Sequence, residues 1–220
     1  MTHAIDIDDG PEANHPITLL HEAHHRIANN LAAIAAVVRL QADDDATVQR
    51  LRTPAEIRRM LGEVSGRIET AAELHRLLAQ AEHAADLRLS EYLLLVASSI
   101  LVSNATPQSA VLETDLDPYC LLPPDQGLAV ALIVAELVTN AVKYAHPAGV
   151  RGKILLMCRQ RDGGVVIEVA DDGVGLPEGF NPEAATSLGF RLMRSLARQL
   201  GASLTFDEQG LGLRARLTIP

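Results

Sequence analysis

The stretch ELVTNAVKYA runs from Glu136 to Ala145, and VVIEVADDGVGLP follows from Val165 to Pro177. At about 100° per residue, Glu136, Asn140 and Lys143 fall within roughly 60° of one another on a helix. The rest of its circumference is almost wholly Leu, Ile, Val and Ala, so one polar stripe marks an otherwise buried helix. Such a stripe can be the solvated face of an amphipathic helix. The residue types point further: a carboxylate, a carboxamide oxygen and an ammonium at steps of four and three can hold a water, a hard cation and a phosphate. In the second stretch a strand runs straight into Asp171-Asp172-Gly173-Val174-Gly175. Asp-Gly alone signals a tight turn, yet this loop does not return as a hairpin. It passes Gly179 and Pro182 to Ser187-Leu188-Gly189-Phe190, the expected start of another helix, whose free N–H groups favour an anion. A hydrogen-bond acceptor and a phosphate seat thus arrive in order.

Working outward, the second half reads as α+β. Val111 to Leu116 alternates like a strand, residues 125–145 form a long helix, and strands Ile154 to Arg159 and Val165 to Ala170 flank the turn Arg161-Asp162-Gly163-Gly164. A helix from Gly189 to Leu200 ends at Gly201, and a last hairpin is broken at Gln209-Gly210. The first half reads as helical. Leu20, Ile27, Leu31, Ile34 and Val38 form one apolar seam over Thr18 to Gln41. A second helix opens around Thr53-Pro54 and continues to about Ala84. A third is expected from Ser90, as its N-cap, to Ser103. Residues 1–15 read as a disordered leader, 16–86 as a helical hairpin and 87–220 as an α/β part. Two helices alone cannot enclose a core, so the hairpin is expected to pair with a second copy as a four-helix bundle.

With 28 acidic against 19 basic residues the 220-residue chain carries a formal charge of −9, and only 3% of it is aromatic. That balance repels phosphate backbones and offers little base stacking, which argues against nucleic acid as a partner. Cys120 and Cys158 are too few for a disulfide framework or a cysteine zinc site, as fits a reducing cytoplasm. The acidic start MTHAIDIDDG is unlike a signal peptide, and apolar runs are cut by Ser98-Ser99 and Glu136, so no membrane span is expected.

The boxes ELVTNAVKYA, DDGVG (Asp171 to Gly175) and SLGF (Ser187 to Phe190) resemble the nucleotide-binding α/β sandwich shared by DNA gyrase, Hsp90, histidine kinases and MutL. The resemblance implies that Glu136 works on water, that Asn140 is the Mg²⁺ ligand, that Asp171 binds the adenine amino group, and that Lys143 and the backbone around Gly189 contact phosphate. Tyr144, Gly173, Gly175, Ser187 and Leu188 complete the implied ATP-binding set. Ser187 stands where the second box often has a further Gly, which bears on how the loop there fits the phosphates.

Upstream, HEAHHRIANNL spans His21 to Leu31. His25 lies about 150° from the apolar seam and faces solvent, whereas His24 lies nearer the packed side. By themselves His21, His24 and His25 read as ordinary surface residues or a fortuitous metal cluster rather than a functional site. HRIANNL, with LHRLL at Leu74 to Leu78 and LSEYL at Leu89 to Leu93, resembles the phosphoacceptor box and following helices of HisKA_2 and HWE sensor histidine kinases. The resemblance implies that His25 takes the γ-phosphoryl group of Mg·ATP and passes it to an aspartate of a response-regulator receiver. Where commoner histidine kinases have an acidic residue after the phosphoacceptor, this chain has Arg26. Glu22, at i−3, is the candidate for orienting the imidazole. No segment remains for an ordinary sensor domain, so the signal is expected from a separate sensor or a missing part of a longer kinase. Alternative readings are a phosphotransferase or phosphatase, or a signalling scaffold, with a vestigial ATP domain, and a serine kinase of the anti-sigma type.

Overall fold

The computed structural model describes residues 53–81, 87–104, 110–146, 150–161, 163–208 and 211–220. The first helix of the expected hairpin, and with it Glu22 and His25, lies outside these residues. Helix α1 is Pro54–Ala81, with Pro near its start, where no intrahelical N–H is required. Strand β1 (Leu87–Arg88) leads directly into α2 (Leu89–Asn104). Then come β2 (Ala110–Leu116), β3 (Leu121–Leu122) and α3 (Pro124–Tyr144). The hairpin of β4 (Gly152–Arg161) and β5 (Gly164–Asp171) follows. The described chain ends in α4 (Leu188–Gln199), β6 (Ser203–Glu208) and β7 (Leu213–Ile219).

Five strands form one sheet in the order β2-β4-β5-β7-β6. Only β2 and β4 run parallel within it. The period-two geometry of a strand places Ile154, Leu156 and Cys158 of β4, Val165, Ile167 and Val169 of β5, and Ala215, Leu217 and Ile219 of β7 on one buried face. Helices α2, α3 and α4 cover that face as the second layer. The other face carries ion pairs between neighbouring strands. Lys153 meets Glu113 at 2.8 Å, Arg159 meets Asp115, and Arg216 meets the buried Glu168 at 2.5 Å.

Helix α3 is the spine, buried without a break from Leu128 to Val138. By length and composition its Asp125–Tyr144 segment could cross a membrane, but most of it is buried inside the fold. Helix α1 reaches this core through Ala71 and Leu74, both buried. There Tyr92 of α2 donates its hydroxyl to the Leu74 carbonyl at 3.0 Å, and burial pushes the phenol pKa up.

One local expectation is corrected. Ser90 is not the N-cap of α2; the helix begins at Leu89, and the buried Ser90 hydroxyl donates to the Asp117 carbonyl at 2.5 Å. That bond fixes the helix to the loop before β3, where β1 and β3 pair antiparallel as a second small sheet not foreseen from sequence. At the end of α4 the expected glycine terminator holds. Gly201 adopts φ +63°, and the N–H groups of Gly201 and Ala202 donate to the carbonyls of Arg198 and Ala197, the two bonds of a Schellman cap.

Candidate functional site

The polar stripe of α3 faces a cavity and runs from buried to exposed along the helix. Glu136 is buried, Asn140 is half-buried and Lys143 exposed, and all three line a cavity of about 1080 Å³. Asp171, Gly175, Ser187, Leu188, Gly189 and Tyr144 line the same cavity. The sequence boxes, separated along the chain, therefore share one wall system. The fourth wall is helix α1, of which Gly62, Gly66, Arg67 and Thr70 also line the cavity. Gly173 is not a lining residue. It is buried, and a Cβ there would lie 2.3 Å from the Ala145 carbonyl oxygen, so glycine lets the loop close onto the end of α3.

The Asp171 loop is anchored on both sides. The Val174 N–H donates to the Ala145 carbonyl at 2.9 Å. Asp172 accepts from the Lys153 N–H at 2.7 Å and lies 3.3 Å from His146 Nε2. Asp171 Oδ1 accepts from the N–H groups of Gly173 at 3.0 Å and Leu213 at 3.3 Å. Burial nevertheless pushes this carboxyl above its ordinary value, against the opposing pull of those two donors. The Leu213 contact was not legible in the sequence, because it comes from the far hairpin. Gly212 makes it possible, with φ +84° and a backbone so close that a Cβ would lie 1.8 Å from the Asp171 carbonyl oxygen.

At the second glycine box, the first bond of the α4 ladder is the Arg191 N–H donating to the Ser187 carbonyl. The N–H groups of Leu188, Gly189 and Phe190 thus precede the ladder, as an anion seat requires. The preceding loop is held by Arg194, which donates to the carbonyls of Pro182 at 2.7 Å and Ala185 at 2.6 Å. All three phenylalanines of the chain gather beside the cavity. Phe190 stacks tilted against Phe180 and Phe206, with ring centroids 5.5 and 5.4 Å apart.

Glu136 is not solvated. Arg67 of α1 donates from Nε to Glu136 Oε1 at 2.6 Å and from Nη2 to Oε2 at 3.1 Å. Gly189 backs the pair, since a Cβ there would lie 2.6 Å from Glu136 Oε2. Sequence reasoning missed Arg67; the available signal was the pair Gly62 and Gly66, which leave one face of a long helix bare at about 1 kcal/mol each. Among the described residues no group of three or more His, Cys, Asp and Glu side chains could hold a metal ion. The donor set fits a divalent cation carried in by phosphates with Asn140 as a protein ligand, rather than an all-protein cage.

Residues 22–104 match the HisKA_2 family of histidine kinases, and residues 125–220 match the histidine kinase-, DNA gyrase B-, and HSP90-like ATPase family. The chain belongs to the histidine kinases of this HisKA_2 type. It is 30% identical over 204 residues to the sensor histidine kinase PdtaS of Mycobacterium tuberculosis, covering 91% of this chain and 39% of the relative. It is 28% identical over 207 residues to blue-light-activated histidine kinase 2 of Erythrobacter litoralis, covering 91% of this chain and 56% of the relative. The solved blue-light activated histidine kinase of Erythrobacter litoralis EL346 superposes with a TM-score of 0.70 at 25% identity, covering 98% of this chain and 62% of that one. The chain thus spans less than two thirds of the length of these relatives.

Proposed function

We propose that this chain is a kinase core that autophosphorylates His25 from Mg·ATP and relays the phosphoryl group to an aspartate of a response-regulator receiver. The observation that carries the reading is the convergence of Glu136, Asn140, Lys143, Asp171 and Gly189 on one cavity that helix α1 also walls. Phosphoryl transfer depends on positioning and charge neutralisation more than on covalent help. In this reading Asp171 accepts from the adenine amino group, its geometry set by the Gly173 and Leu213 N–H groups. Lys143 and the amide groups opening α4 neutralise phosphate charge, and Asn140 offers its carboxamide oxygen to Mg²⁺, which draws charge from the phosphate oxygens. Gly175, Tyr144, Ser187 and Leu188 shape the walls.

One lone pair of the neutral His25 imidazole attacks the γ-phosphorus. A nitrogen–phosphorus bond forms, the bond to the bridging oxygen breaks, and ADP leaves with that electron pair. An unperturbed histidine is mostly neutral at cellular pH, so no strong activation is required. Glu22 orients the imidazole, and Glu136 serves the same reaction as a catalytic carboxylate. The reading extends to a homodimer through residues 16–86, with residues 87–220 as the catalytic unit and an input from a sensor partner or a further part of a longer kinase.

Calorimetric titration with Mg·ATP or Mg·ADP tests the nucleotide step. The unmodified chain is expected to bind both, Asp171→Asn to bind each more weakly, and Asn140→Ala to lose the Mg²⁺-dependent part. No heat of binding from the unmodified chain would favour the scaffold with a vestigial ATP domain.

A further inference from the structure

Arg67 sits within a 28-residue helix, far along the chain from the glycine boxes. Its fork on Glu136 joins three elements at the phosphate-binding side of the cavity: α1, the polar stripe of α3 and, through the close approach of Gly189, the first turn of α4. The pair is largely shielded from solvent, with side chains 20% and 11% exposed. Low exposure strengthens such a contact and makes its partner choice consequential. Gly66 precedes Arg67, and Gly62 lies one turn earlier. A Cβ at either would meet nothing within 4 Å, so α1 leaves open room beside the guanidinium, where a bulkier face would fill the cavity.

A guanidinium that binds a carboxylate through two N–H groups binds a phosphate by the same planar fork. The terminal group of a nucleoside triphosphate carries more charge than one carboxylate and is the better partner. A carboxylate held by that fork has both oxygens engaged and is, conversely, less able to accept from another neighbour.

We propose that Arg67 is a specificity-determining residue that recognises the terminal phosphate of a nucleoside triphosphate, with Glu136 as its partner before that phosphate arrives. Exchange of partner releases the Glu136 carboxylate only when a triphosphate is bound. A diphosphate, one phosphoryl group shorter, leaves the Arg67–Glu136 pair closed. Because Arg67 belongs to α1, the position of that helix is linked to which nucleotide the cavity holds. The inference rests on the nucleotide cavity proposed above.

Calorimetry on the full chain tests it with a non-hydrolysable ATP analogue and with ADP, each with Mg²⁺. Arg67→Ala should weaken the triphosphate analogue by about ten-fold to a hundred-fold, the range of a charge-assisted hydrogen bond, while ADP affinity stays within about two-fold. Arg67→Lys, which keeps the charge without the fork, should fall between. Glu136→Gln, which weakens the competing partner, should tighten the analogue and leave ADP unmoved. Thermal melts of each variant separate lost folding from lost recognition, and Arg67→Gln retains most of the side-chain stem should the alanine variant unfold. Equal weakening of both nucleotides, or a drop in melting temperature with an unchanged analogue-to-ADP ratio, would make Arg67 a structural tie and overturn the proposal. If the unmodified chain binds neither nucleotide, the cavity reading itself fails and takes this inference with it.

Discussion

Asp171 combines a raised pKa with two backbone donors on one oxygen. Its ionised form is the stronger acceptor, so nucleotide affinity should fall as pH drops through the raised pKa, earlier on acidification than for an ordinary aspartate. Asp171→Asn should bind nucleotide about ten-fold to a hundred-fold more weakly and show no such pH step in calorimetry. For stability the sign is opposite. A carboxyl raised in the folded state contributes no penalty below its unfolded pKa, and destabilises increasingly as pH rises to the folded value. Gly212→Ala combines a left-handed φ with a clash on the Asp171 carbonyl, and should lower stability by more than about 1 kcal/mol in denaturant melts. Asp171 was legible from the acidic glycine loop, whereas Gly212 was not, because its reason is a contact across 41 positions of chain rather than a local turn.

Helix α3 was readable because an apolar run interrupted by one polar stripe has few other interpretations, and the eight positions from Ala131 to Val138 are all buried. Ile133→Ala should therefore lower stability by about 2–5 kcal/mol, the range for truncating a fully buried aliphatic side chain, measurable by urea unfolding. The start of α2 was misread because Ser90 has the chemistry of a cap, yet its hydroxyl is taken by Asp117, a partner no local pattern reveals. Helix α1 was foreseen as half of a hairpin, but not as a cavity wall. Its bare glycine face allows a direct test: Gly66→Ala should stabilise the helix by about 0.5–1 kcal/mol, while Gly66→Leu should reduce nucleotide affinity by occupying the cavity. Titration and thermal melts of the two variants side by side distinguish the effects.

Across the whole molecule, the α/β sandwich was legible from the order of boxes and strand periods, while the way the hairpin meets it was not. Beside the buried Ala71 and Leu74, that junction includes long-range polar contacts of Arg67 with Glu136 and of Tyr92 with the Leu74 carbonyl. Tyr92→Phe should lose about 1 kcal/mol in thermal or denaturant unfolding, since the Leu74 carbonyl loses its buried donor. The pairing expected of the hairpin predicts a homodimer in solution, and light scattering at tens of micromolar that returns the 23.6 kDa monomer mass would contradict it. That this cavity serves phosphorylation of a histidine is tested most directly by incubating the chain with radiolabelled ATP and treating the product with acid and alkali. The expected label is acid-labile and alkali-stable, lost in His25→Gln and kept in His21→Gln and His24→Gln. An acid-stable label, or normal labelling of the His25 variant, would contradict it.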